Sequence, residues 1–145
     1  LPESKGSIHV KSTNPEEYPS IKYNFLSNQL DKDTLIAGVK LIRKLMDSEP
    51  MKEFCDDEIQ PGYKFSSDND ILEFIKNKAE TLYHPSGTCK MGFDQESVVD
   101  KNLKVHGLKG LRIADASIMP TLVSGNTNAV CMMIGERCAD FILNS

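Results

Sequence analysis

An α+β fold, with a mainly antiparallel sheet covered by helices on one face, is what this sequence predicts, and three features carry that expectation. Two short runs near the start, Ser7-Ile8-His9-Val10-Lys11 and Ile21 to Phe25, alternate polar and apolar residues. Two longer segments repeat apolar residues at three- or four-residue steps. After Leu82, glycines punctuate short apolar runs that lead into a last apolar helix. Alternation places successive apolar side chains on one face of a strand, whereas the three- or four-residue step places them on one face of a helix.

Taken in order, the first strand puts Ile8 and Val10 on one face. Thr13 to Pro19 carries two prolines and two glutamates and reads as a surface loop. Ile21, Tyr23 and Phe25 then share a face of the second strand. From Asp33 the pattern is helical, with Leu35, Val39, Ile42 and Met46 as the apolar stripe. Asp31 or Asp33 can cap its start, and Pro50 lies beyond its end. Lys40, Arg43 and Lys44 fall elsewhere on this helix and read as a solvated face. A second amphipathic helix runs from about Asp68 to Leu82, carrying Ile71, Phe74, Ile75, Ala79 and Leu82 on one side. Ser67 with Asp70 resembles a capping box with Asp in place of the usual Glu. Met51 to Ser66, between the helices, follows no single pattern.

The later segment reads as strand pieces at Val98-Val99, Leu103 to Val105 and Leu111 to Ala114. Tight turns at His106-Gly107 and Lys109-Gly110 join them. Thr127 to Leu143 is a final helix, apolar on nearly all sides through Val130, Met132, Met133 and Ile134. Such a helix is expected to be buried, its first turn deep in the protein.

Composition narrows the class of function. A net charge of −4 and a pI near 5.4 argue against nucleic acid as the main partner, because phosphate binding draws on clustered Lys and Arg. The most apolar stretch, Ala129 to Ile134, is far short of the roughly 20 residues a membrane span needs. At 145 residues the chain suits one compact domain or a large piece of one. Leu1 to Gly6 lacks the layout of a signal peptide and reads as a cut inside a longer chain. Cys55, Cys89, Cys131 and Cys138 have no Cys-x-x-Cys spacing, so neither a disulfide framework nor a metal site is expected.

Three segments could carry chemistry. His9 lies on the polar face of a strand and His106 precedes a turn glycine, so both read as surface or structural residues. His84 sits in Tyr83-His84-Pro85-Ser86-Gly87-Thr88-Cys89-Lys90-Met91-Gly92, where a helix gives way to a glycine-containing loop. Loops held by a rigid scaffold are where catalytic side chains concentrate. The plain alternative is a histidine that ends a helix. Ser124-Gly125-Asn126-Thr127-Asn128-Ala129 is small and polar and opens the last helix, whose free N–H groups attract negative charge. Here the plain alternative is N-capping by Asn126 or Asn128. Arg112 to Ser117 is a strand end followed by small residues that let a ligand approach the backbone.

Together, His84 to Gly92, Asp100 to Val105 with Gly107 to Ser117, and Ser124 to Phe141 resemble the C-terminal region of the glucose-methanol-choline oxidoreductases. The likeness is nearest to insect glucose dehydrogenase-like and choline dehydrogenase-like members. It extends upstream through Pro2 to Gly6 and Asp31 to Leu45. The resemblance implies a substrate-binding domain over residues 1–110, and a segment over residues 111–145 that completes an α/β flavin-binding domain. It places the catalytic histidine at His84 and its partner at Asn126, eleven residues after Asp115. It also sets Asp115 and Ala116 near the ribityl and pyrophosphate groups of FAD, and Thr127 and Asn128 at backbone positions close to the flavin ring. Lys5 departs from the Arg of many relatives. The larger departure is that no Gly-x-Gly-x-x-Gly turn is present, so FAD would require an N-terminal portion of the same protein. The insect-type likeness favours an extracellular setting.

The implied reaction is oxidation of an alcohol or sugar CH–OH group. His84 would take the hydroxyl proton, Asn126 would donate to the same oxygen, and the hydride would pass to the flavin N5. Two other readings stand beside it: a hydroxynitrile lyase on the same fold, and a non-catalytic module should the FAD-binding portion be absent.

Overall fold

The structure, a computed structural model, describes residues 1–144. Backbone pairing and helices together make the expected α+β fold, and its residues gather into two units, Pro2–Glu80 and Thr81–Ser145.

In Pro2–Glu80, strands β1 (Ser7–His9) and β2 (Ser20–Lys22) form an antiparallel ribbon in which Ile8 lies opposite Ile21. The close crossing needs Gly6, because a Cβ there would collide with the carbonyl oxygens of Lys22 and Tyr23. The expected helical cover over this sheet is not made in the unit. Ile8, Ile21 and Tyr23 are exposed, and Val10, outside the paired residues, is 83% exposed.

Helix α1 (Gln29–Met46) starts one turn earlier than Asp33. Its cap is Asn28, whose side chain accepts the N–H of Leu30. Asp31 does not cap it; its carboxylate instead accepts the backbone N–H groups of Glu3 and Ser4, both at 2.8 Å. The buried stripe also differs from the expected one. Ile36 is buried with Val39 half-buried beside it, while Leu35, Ile42 and Met46 are exposed. Continuing that stripe by one turn reaches Arg43, which is therefore not on a solvated face. Its side chain is 16% exposed and forks onto Glu58. Lys40 does stay at the surface, paired with Asp68.

Pro50 falls in the first turn of the short helix α2 (Glu49–Lys52), where its missing N–H costs nothing. The segment beyond it, patternless in sequence, is held by Arg43 through the carbonyls of Gly62 and Phe65. Helix α3 (Asp68–Lys78) begins at the expected capping box, since the Ser67 side chain accepts from Asp70 N while the Asp70 carboxylate accepts from Ser67 N. It ends at Ala79 rather than continuing to Leu82, which is 84% exposed. Ile71 and Ile75 pack with Ile36 as the core of this unit.

In Thr81–Ser145 the expected strand pieces meet as isolated bridges, Met91 with Val99, Val99 with Val105 and Lys104 with Arg112, rather than as a continuous ladder. Asp100 sets the tight turn between them by accepting the N–H groups of Asn102 and Lys104. Helix α4 (Asn128–Leu143) packs Ile134 and Cys138 against Val99, Leu103, Ile118 and Met119. The expectation of a helix buried on all sides is corrected: Met132, Met133 and Ile142 are exposed. The four cysteines are free thiols.

Candidate active site

α3 stops at Lys78, six residues before His84, so His84 does not end a helix. It follows Tyr83, a non-glycine residue with φ of 60°, whose left-handed backbone turns the chain sharply ahead of the imidazole. Downstream the loop is stitched to a single turn of 3-10 helix, Ala116–Ile118. The N–H groups of Gly87, Cys89 and Met91 donate to the carbonyls of Ala116, Ser117 and Ile118 at 3.2, 2.9 and 2.8 Å. Gly87 is required there, with φ of 80° and a hypothetical Cβ only 3.2 Å from the Met119 carbonyl oxygen. His84 thus projects from an irregular loop that is fixed along its downstream side.

The imidazole itself is exposed, and its Nδ1 lies 2.9 Å from the hydroxyl of Thr127. Its Nε2 makes no hydrogen bond among the described residues. Thr127 is the residue before α4 and is 8% exposed, the one buried polar or charged residue of those described. Neither Asn126 nor Asn128 caps the helix; the capping position belongs to Thr127, whose side chain accepts no helix N–H. The side chain of Asn126 is exposed and takes no hydrogen bond among the described residues.

Asp115 and Ala116 lie at the 3-10 turn. One carboxylate oxygen of Asp115 accepts the N–H of Ser117 at 2.7 Å, and Ala116 packs against the core. Of the six expected residues, the structure joins His84 to Thr127 by a side-chain contact and ties the His84 loop to Ala116 through Gly87. Asn126 and Asn128 enter only as chain neighbours of Thr127. The Thr127 hydroxyl is what sequence reasoning missed: only the backbone of Thr127 was singled out, and nothing in a spacing of 43 residues points from its side chain to His84.

The start of α4 suits an electron-rich planar group. Among the described residues no side chain accepts from its first N–H groups and no atom stands within 4 Å of a Cβ built on Gly125, while Asn128 and Ala129 are exposed. The positive end of the helix dipole adds to this. A shallow cleft of about 380 Å³ lies elsewhere, lined by Arg112, Arg137, Asp140 and Phe141 among others, and includes none of the six residues. Among the described residues no group of His, Cys, Asp and Glu is placed to hold a metal ion, and no helix is long and apolar enough to cross a membrane.

The chain is 49% identical over 143 residues to an alcohol dehydrogenase [acceptor] of Pseudomonas putida, an alignment covering 99% of this chain and 26% of that protein. It is 43% identical over 139 residues to the oxygen-dependent choline dehydrogenase of Escherichia coli, covering 96% and 25%. A solved structure of formate oxidase from Aspergillus oryzae, studied for FAD modification, superposes with a TM-score of 0.89 at 30% identity, covering 98% of this chain and 25% of that one. The chain therefore spans about a quarter of the length of these relatives. Residues 2–135 match the family described as GMC oxidoreductase, in its C-terminal part, and the chain belongs to that family.

Proposed function

We propose that this chain is the substrate-side part of an FAD-dependent enzyme that oxidises the CH–OH group of an alcohol or sugar. The observation that carries the reading is the state of His84, an exposed residue: Nδ1 lies 2.9 Å from the Thr127 hydroxyl while Nε2 makes no hydrogen bond among the described residues. A neutral imidazole so held can take the hydroxyl proton at Nε2, breaking the O–H bond as the N–H bond forms. Asn126, with its amide N–H groups unengaged, donates to the same oxygen and steadies its developing charge. Bound FAD would supply the hydride acceptor that the carbon of the alcohol needs. Asp115, Ala116, Thr127 and Asn128 would flank the cofactor, and the start of α4 fits an electron-rich ring edge, as described above.

The reading extends to the rest of the protein. Residues 1–110 serve the substrate and residues 111–145 join a flavin-binding domain, whose dinucleotide-binding turn is supplied by an N-terminal portion of the same protein. The extracellular setting rests on the insect-type likeness alone.

Stopped-flow reduction of the flavin tests the assignment. Replacing His84 by Ala is expected to slow reduction by roughly 10²-fold or more, the size of a lost general base. Asn126→Ala is expected to cost about 10- to 100-fold. Normal rates in both variants, at unchanged FAD content, would remove the basis for the site.

A further inference from the structure

We propose that Thr127 is the positioning residue of His84: its hydroxyl accepts a hydrogen bond from a protonated Nδ1 and so keeps the Nε2 lone pair free to take a proton. This rests on the reading of His84 as the base, and it gives the Thr127 side chain a task separate from any contact of its backbone with a cofactor.

Thr127 is 8% exposed, and a buried hydroxyl is costly unless it is hydrogen-bonded. Its side-chain partner is Nδ1 of His84, 2.9 Å away. A threonine just before a helix ordinarily takes an extended backbone and accepts a helix N–H. Here the backbone is already helical, with φ of −75° and ψ of −17°, and no such bond forms. The hydroxyl is thereby left to the ring.

A neutral histidine has one donor nitrogen and one acceptor nitrogen, so the group that meets Nδ1 decides what Nε2 can do. If the hydroxyl accepts from Nδ1–H, Nε2 is a base. Were the hydroxyl to donate to Nδ1, Nε2 would carry the hydrogen and could accept no proton. Only the first arrangement survives protonation of Nε2 without the hydroxyl having to turn, because the imidazolium carries hydrogen on both nitrogens. The contact also fixes ring orientation, the part that a third group plays wherever a base must be aimed.

The test uses the FAD-loaded protein with histidine rings labelled in ¹⁵N, read at a pH of about 8.5, some two units above the ordinary imidazole value. His84 is expected in the Nδ1–H form. Thr127→Val, similar in shape, is expected to move the ring toward the Nε2–H form and slow flavin reduction about tenfold, the scale of one lost hydrogen bond. Thr127→Ser, which keeps the hydroxyl, is expected to restore both tautomer and rate. An Nε2–H ring in the unsubstituted protein would overturn the proposal. So would a Thr127→Val protein with unchanged tautomer and rate, or a Thr127→Ser protein as slow as Thr127→Val at equal FAD content. The His84→Ala protein separates the two readings. A normal reduction rate there removes the base and with it the task given to Thr127, whereas a slow one with an Nε2–H ring in the unsubstituted protein removes the Thr127 proposal alone.

Discussion

The guanidinium of Arg43 forks onto the carboxylate of Glu58, with Nε 2.9 Å from Oε2 and Nη2 3.1 Å from Oε1. Two further N–H groups reach the carbonyls of Phe65 and Gly62, so one side chain from α1 holds the later part of the loop that precedes α3. Planar bidentate pairing of this kind is stronger than a single contact and specific in direction.

Arg43→Ala is therefore expected to destabilise the fold by about 2–4 kcal/mol, near the lower part of the range for a broken buried pair because both side chains keep some solvent contact. Arg43→Lys retains the charge but not the fork, and should recover only part of the loss. Thermal and denaturant unfolding of the two variants check this; equal stability of Arg43→Ala and the unsubstituted protein would mean that the loop contributes nothing.

Asp31 should make the attachment of the N-terminal segment sensitive to acid. The Ser4 hydroxyl, followed by the N–H of Glu3, lowers its pKa below the ordinary aspartate value. A lowered pKa in the folded state means that the stabilisation is fully present above the unfolded value of about 4 and is lost as pH falls through the folded value. Amide exchange at Glu3 and Ser4 is expected to show protection at neutral pH that disappears on acidification. In Asp31→Asn the protection should be weaker at neutral pH and no longer follow this titration.

Gly87 couples the fold to the site. Its φ of 80° is a left-handed backbone that side chains rarely adopt, and a Cβ there would sit tightly, 3.2 Å from the Met119 carbonyl oxygen. Gly87→Ala is expected to cost about 1–2 kcal/mol from the left-handed backbone alone. Because its N–H ties the His84 loop to Ala116, flavin reduction should also slow in the folded variant. A melting curve and a reduction rate that both match the unsubstituted protein would show that the loop needs neither the turn nor the tie.

Local rules fixed much of this chain from sequence alone. The capping box at Ser67 and Asp70, the alternation that marks each of the two strands, and the helix that begins after Thr127 all depend on near neighbours, so spacing was enough to find them. Family likeness likewise pointed to His84 and Asn126. Tertiary structure decided what depends on packing between distant segments. It decided that Ile36 rather than Leu35 faces the core, because the buried stripe of α1 is chosen by where α3 packs. It drew Arg43 out of solvent, because Glu58 and two loop carbonyls satisfy its charge and N–H groups. It also aimed the Thr127 hydroxyl at His84, a contact set by where a loop and a helix start come together, which no periodicity along the chain encodes.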